Sequence, residues 1–244
     1  MKLPKSISPC PIVEAVFESR FQTDTPEEAV VGMVYQALRK EFPKMSALPL
    51  ASLPQQMRKA DPEFTYQPLH RLEGERMVLL IGPRNFAIAS KGDYLGWQGY
   101  SADALRVFET IAATGIFQKI ERFGLRYISF FEGDVLSNLT LSVQLQGREI
   151  QGGESFFRTI LQWEGCSCHL QVGKDLKLSN RDGKAGSVVD IDAFVQSPTA
   201  SGSLHNDAKG FLEMAHHAEK DLFFTLLKPE FLATLSPTYE ASTT

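Results

Sequence analysis

Phe17-Glu18-Ser19-Arg20-Phe21, early in the chain, and Phe123-Gly124-Leu125-Arg126-Tyr127, after its midpoint, carry the same pattern of aromatic, arginine and aromatic. Around the first, Val13, Ala15, Phe17 and Phe21 alternate with Glu14, Glu18 and Arg20, a period of two that predicts a half-buried strand over Ile12 to Gln22. Around the second, Phe123, Leu125, Tyr127 and Phe131 alternate with Arg122, Gly124 and Arg126 over Lys119 to Phe131, in the same phase. Two strands so alike, one in each half, predict a duplicated α+β unit. Its two sheets are expected to join into one curved, largely antiparallel sheet with helices on one face and the other face open.

The flanking segments extend this pattern. Thr25 and Pro26-Glu27-Glu28 read as a helix start, with a capping hydroxyl, a first-turn proline and acids at the positive end of the helix dipole. From Pro43 to Pro62, four prolines defeat both periodicities and predict a long connection. Strands are expected over Glu63 to Leu69, Arg76 to Ile81, Phe86 to Ser90 and Tyr94 to Trp97, then a helix capped by Ser101 and ended by Gly115. After the second long strand come a helical turn over Asp134 to Asn138, a strand over Leu139 to Gln146, and a turn across Gly147 to Glu154. Strands at Ser155 to Trp163, Cys166 to Val172 and Ser187 to Val195 follow, the last two separated by a polar loop, and a final helix starts near Ser203. Each half, 1–118 and 119–244, then reads β-α-ββββ-α, packed as one globular unit. That order resembles the duplicated fold of the TATA-box-binding protein and of the helix-grip lipid and hormone binders. The resemblance implies architecture and no single activity.

Composition narrows the class of function. With 244 residues, 43% hydrophobic and 22% charged, the chain has ordinary globular composition. A net charge of −4 argues against broad, sequence-independent nucleic-acid binding, which needs many cations on phosphates. Three cysteines do not make a disulfide framework, so a reducing cytoplasm is expected. Lys2 and Lys5 have no apolar run behind them, so neither a signal peptide nor membrane insertion is expected. Neither G-x-x-x-x-G-K-[ST] nor a strand followed by G-x-G-x-x-G occurs, and G-x-S-x-G and H-E-x-x-H are missing too.

The polar side of the sheet holds the candidates. Asp190 and Asp192 in Val189-Asp190-Ile191-Asp192-Ala193-Phe194 lie two apart on a strand and project from one face. With Arg20, Arg126, Glu14 and Glu18 expected on that face, a charge network across strands is the stronger reading. The alternative is a magnesium or manganese site on Asp190 and Asp192, with Arg126 on a phosphate, which would make the chain a metal-dependent phosphoesterase. His169 alternates onto the same face and reads as a solvated strand histidine. His216 and His217 diverge by about 100° on a helix and do not chelate together easily. Cys166 and Cys168 share parity with Leu170 and Val172, which marks a core stripe, two zinc ligands being the minor alternative. Tyr94, Trp97 and Tyr100 read as plugs between sheet and helix, with base stacking as the minor alternative.

Pro11-Ile12-Val13-Glu14-Ala15-Val16-Phe17-Glu18-Ser19-Arg20-Phe21, Glu121-Arg122-Phe123-Gly124-Leu125-Arg126-Tyr127-Ile128 and Val189-Asp190-Ile191-Asp192-Ala193-Phe194, with Leu204-His205 beyond, together resemble a sporadically distributed prokaryotic family of similar length and uncharacterised function. The family usually has asparagine where this chain has Ser129. The resemblance implies no known activity, and a patchy distribution suggests a mobile stress or defence component with a dedicated partner. The expected function is a binding module that holds a protein or small molecule on the open sheet face or in the cleft between halves. No cofactor is expected in that reading, and self-association is compatible with it.

Overall fold

The computed structural model describes residues 3–149, 155–177, 185–197 and 203–239. In chain order these form β1 (Ile12–Gln22), α1 (Glu27–Leu38), β2 (Lys44–Ala47), α2 (Gln55–Ala60), β3 (His70–Glu73), β4 (Met77–Ile81), β5 (Asn85–Ser90), α3 (Trp97–Ala112) and β6 (Lys119–Glu132). A hairpin of β7 (Gln144–Leu145) and β8 (Arg148–Glu149) precedes β9 (Ser155–Trp163), β10 (Cys166–Lys177), β11 (Ala185–Gln196), α4 (Leu204–Leu226) and α5 (Pro229–Thr234). Nine strands make one sheet in the order β2-β3-β4-β5-β1-β6-β11-β10-β9. The fold is α+β with a large antiparallel sheet.

The chain divides into two compact units, a first of Glu14–Leu125 and Phe194–Glu213, and a second of Met1–Val13, Arg126–Ala193 and Met214–Thr244. In the first, Ala15, Phe17 and Phe21 of β1 are fully buried while Glu14, Glu18 and Arg20 are half-exposed, as the alternation predicts. Phe17 lies 5.7–6.3 Å, centroid to centroid, from the rings of Phe86, Phe108, Phe123 and Phe211. Burying one such ring contributes about 1.5–3 kcal/mol, and well-placed ring pairs add about 0.5–1.5 kcal/mol each. α1 buries Val30, Val34 and Leu38, and α3 buries Tyr100, Ala104, Val107, Phe108 and Ile111. The Tyr100 hydroxyl donates to the Ile88 carbonyl at 2.9 Å, which is the junction-plug role read for that side chain.

Several local expectations change. Pro26, not Thr25, stands at the start of α1 without a side-chain cap, and Thr25 instead donates its backbone N–H to the Thr23 hydroxyl. The 43–62 connection contains β2, α2 and 3-10 turns at Pro49–Ser52 and Pro62–Phe64. Pro49, Pro54 and Pro62 sit at the entrances of these short helices and turns, where a missing N–H costs nothing, so they start short structure rather than prevent it. The strand expected over Glu63 to Leu69 begins only at His70. No strand covers Tyr94 to Trp97, because Gly96 at φ +77° opens α3 directly and puts Ser101 inside the helix.

In the second unit β9 and β10 form a hairpin in register Trp163↔Cys166 through Val172↔Phe157 to Lys174↔Ser155. Its two-residue turn, Glu164-Gly165, has positive φ at both positions, the geometry that matches the twist of the flanking strands. Cys166, Cys168, Leu170 and Val172 are buried, with Ala215, Ala218 and Leu222 of α4 also in the core. The strand expected over Leu139 to Gln146 shrinks to β7, since Leu139 is instead buried and bridged to Leu227. The 3-10 turn Leu136–Asn138 takes the place of the expected helical turn. α5, opened by Pro229, was not anticipated. The turn across Gly147 to Glu154 and the loop between β10 and β11 lie largely outside the described residues.

Ser19 has the same parity as Phe17 and Phe21, is fully buried, and its hydroxyl has no hydrogen-bond partner among the described residues. Ser19→Ala is expected to raise stability, by about 1 kcal/mol in urea denaturation, because it removes an unpaired buried polar group while leaving the backbone intact. A loss of stability would mean that the hydroxyl is satisfied in solution.

Candidate functional site

In the first unit the polar residues of β1 and β6 meet around Glu18. Its carboxylate pairs with Arg20 at 3.2 Å and with Arg122 on β6. Arg122 is mostly buried, with its guanidinium 4.6 Å from the centre of the Phe194 ring. Gly124 makes this possible, since a Cβ there would collide with the Arg122 guanidinium. Arg20 in turn lies 5.0 Å from the centre of the Tyr66 ring, and the Tyr66 hydroxyl donates to Glu121 at 2.8 Å. Glu14 belongs to the same strand face but joins none of these contacts. Arg122 and Tyr66 are the members that sequence reasoning missed. The signal for Arg122 was Gly124 two residues later on the same strand face.

In the second unit Arg126 grips Asp190 through two parallel hydrogen bonds of 2.8 and 2.6 Å, a charge-assisted fork. Gln171 on β10 donates to the same carboxylate at 3.0 Å. Asp190 is only 5% exposed, whereas Arg126 is 42% exposed at its side chain. Gln171 is registered with Arg158 on β9, and His169 with Ile160, so Arg158, Gln171, Asp190 and Arg126 share one sheet face. Arg158 donates to His169 at 2.5 Å. Burial and then the Arg158 charge hold the His169 imidazole below its ordinary value, hence neutral near pH 7. Asp192 is half-buried two residues beyond Asp190. Among the described residues no three His, Cys, Asp or Glu side chains converge as a metal site.

The edge of that face is apolar. Phe156 and Ile160 on β9 are each 61% exposed, and Arg158 between them is exposed as well. Sequence reasoning placed this strand but missed its outward apolar side. The signal was apolar residues of both parities, Phe156 and Ile160 on one and Phe157, Leu161 and Trp163 on the other.

Buried titratable groups lie on the other side of β10 and β11. Burial pushes the Cys166 and Cys168 thiols up to about 11 and about 12, which leaves them protonated core residues. Burial also lowers His216 to about 4, with Lys220 and His217 adding to it, and its ring lies 3.4 Å from the Tyr127 hydroxyl. Glu219 of α4 is 1% exposed, and no side chain among the described residues pairs with its carboxyl, which meets only weak backbone contacts from Ala193 and Tyr127. Burial, reinforced by the Asp192 charge and more weakly by Asp190, raises its pKa well above the ordinary range, against the weaker pull of the Ala193 and Tyr127 backbone.

A cleft of about 280 Å³ in the first unit is lined by Glu27, Arg58, Leu69, His70, Ile81 and Pro83, among others. Its polar groups serve each other. Arg58 pairs with Glu27 and donates to the Leu53 carbonyl at 2.5 Å, while Gln55 donates to Glu27 at 2.9 Å. These contacts clip α2 to α1 and so hold the proline-rich connection. Compared with known proteins, the chain matches no protein-family model and no curated protein. No helix among the described residues is long and apolar enough to cross a membrane.

Two outcomes follow from this geometry. Arg126→Ala leaves a buried carboxylate without its fork and is expected to cost about 1–3 kcal/mol. The loss should fall toward the lower end, because the exposed guanidinium is partly screened. Adding Asp190→Ala should recover part of it in a double-mutant thermal-denaturation cycle, and full additivity would show that the pair is not coupled. For Glu219, the unfolded chain ionises near the ordinary carboxyl value of about 4.3, while the folded protein keeps its proton to higher pH. Folding therefore takes up a proton above that value, and stability falls as pH rises from there toward the raised folded-state pKa. Glu219→Gln should flatten this fall between pH 4 and 8 in denaturation measured against pH, and an unchanged slope would show that Glu219 titrates normally.

Proposed function

We propose that the chain is a binding module that receives a protein partner on the open sheet face of its second unit. The observation that carries this reading is the pair of outward apolar side chains, Phe156 and Ile160, placed on one strand beside Arg158 and the Arg126–Asp190 row. Exposed aromatic and aliphatic groups rimmed by hydrogen-bonding side chains are the makeup of an interaction surface. The ion pairs set the polarity of the face and keep its strands in place, and the apolar groups supply the area removed from water on binding. The same reading takes the chain as a duplicated unit. Its support is that the equivalent strands β1 and β6 are neighbours in the sheet and that Phe17 and Phe123, at equivalent places, are both fully buried. A stress or defence role with a dedicated partner rests on the family resemblance alone.

Site-specific photo-crosslinking in the native host tests the surface. A benzophenone side chain at position 156 or 160 is expected to trap one discrete protein adduct that the same group at exposed Met57, in the first unit, does not trap. No adduct at 156 or 160, or the same adducts at Met57, would remove the reading.

A further inference from the structure

We infer that the partner of this face is an extended peptide segment that adds a strand to the outer edge of β9, with an acidic residue flanked at two-residue spacing by apolar ones. The inference rests on the reading of the sheet face above and goes further in naming what binds there.

β9 is the last strand in the sheet order, so among the described residues its outer edge has no neighbouring strand. The two-residue turn fixes which backbone groups that edge presents. In an antiparallel pair, residues alternate between those that exchange hydrogen bonds with the partner strand and those that do not, and the residues flanking a two-residue hairpin turn are of the first kind. Trp163 pairs with Cys166 across Glu164-Gly165, so Trp163, Leu161, Thr159 and Phe157 bond inward to β10. Ile160, Arg158 and Phe156 therefore turn their own N–H and C=O groups outward. The residues that offer a free ladder are the same ones whose side chains form the exposed apolar and cationic row.

Charge complementarity selects the occupant. The Arg158 guanidinium has a neutral imidazole beside it and no carboxylate within ion-pair distance among the described residues. A strand laid alongside would set its own side chains opposite Phe156, Arg158 and Ile160 with the same period of two. The complement is an apolar–x–acidic–x–apolar segment, with the acid against Arg158 and the apolar groups against Phe156 and Ile160. In such strand addition the main chain supplies affinity and the alternate side chains supply selectivity. Natural sheets blunt exposed edges with charged side chains, proline or bulges, and over nine residues β9 carries only the Arg158 charge.

The test is selection of random twelve-residue displayed peptides on the intact protein, followed by titration of the enriched peptides by calorimetry. Enrichment of an acidic residue flanked at two-residue spacing by apolar ones is expected. N-methylation of alternate peptide amides in one of the two phases should weaken binding roughly tenfold or more, because it removes the ladder. Arg158→Glu should weaken it by a similar factor by placing like charges opposite one another, with the melting temperature unchanged. Peptides that bind equally well when N-methylated in either phase, or that ignore Arg158→Glu, would overturn strand addition while leaving a docking face in place. A concentration-dependent dimer broken by Ile160→Lys would also overturn it, because a second copy would then own the edge. Loss of the photo-crosslinks at 156 and 160 would bring down the face itself, separately from these results.

Discussion

Phe17 stands where five elements of the first unit converge, and the arrangement of that unit follows from keeping its ring dry. Its neighbours come from β5, α3, β6 and α4, at sequence distances from 69 to 194 residues. β1 can supply this ring to the core only if the alternate residues face the other way. Glu18 and Arg20 are therefore committed to the opposite face, and a one-residue slip would bury both charges and expose Phe17 and Phe21. Apolar packing on one side of β1 thus fixes the register that creates the polar contacts on the other.

Those polar contacts look less like a reactive centre than like the means by which charged strands sit side by side. Glu18 serves two arginines, and Arg122 spends its remaining surface on Phe194 and on the gap above Gly124. Asp190 directs its carboxylate to Arg126 and Gln171. A carboxylate held this way has its oxygens committed to its partners, which raises its worth as a strand tie. Glu219 is the contrast: a carboxyl with no side-chain partner among the described residues and only weak backbone contacts, placed where burial favours the neutral form.

What could be read in advance divides along a physical line. β1 was legible to the residue, and β6 and β11 nearly so, because long strands write their period of two into the sequence, whereas β9 was legible as an apolar-rich run between turn segments. Helix starts were less legible. Thr25 and Ser101 looked like caps, but Pro26 and Gly96 begin the helices through backbone geometry, which leaves no side-chain pattern to read. The prolines of the 43–62 segment misled for a related reason, since a proline forbids a helix interior and favours a helix entrance with the same ring. For the candidate site, the residues Glu18, Arg20, Arg126 and Asp190 were legible by parity. Their pairings were not, because Arg122 and Tyr66 enter through contacts distant in sequence.

The apolar edge of β9 poses a problem that the hidden core strands do not. An edge with outward phenylalanine and isoleucine is a template for unwanted pairing, and keeping it has a cost in solubility. Arg158 offsets part of that cost, because an identical strand arriving antiparallel in full overlap sets its own arginine two residues from the first on the same face, with no acid to meet it. Like charges so close oppose the match. The same cation attracts a segment that carries a carboxylate at the right spacing. One residue can in this way disfavour the chain's own copies and favour a foreign strand, which is how a sheet edge gains selectivity without closing.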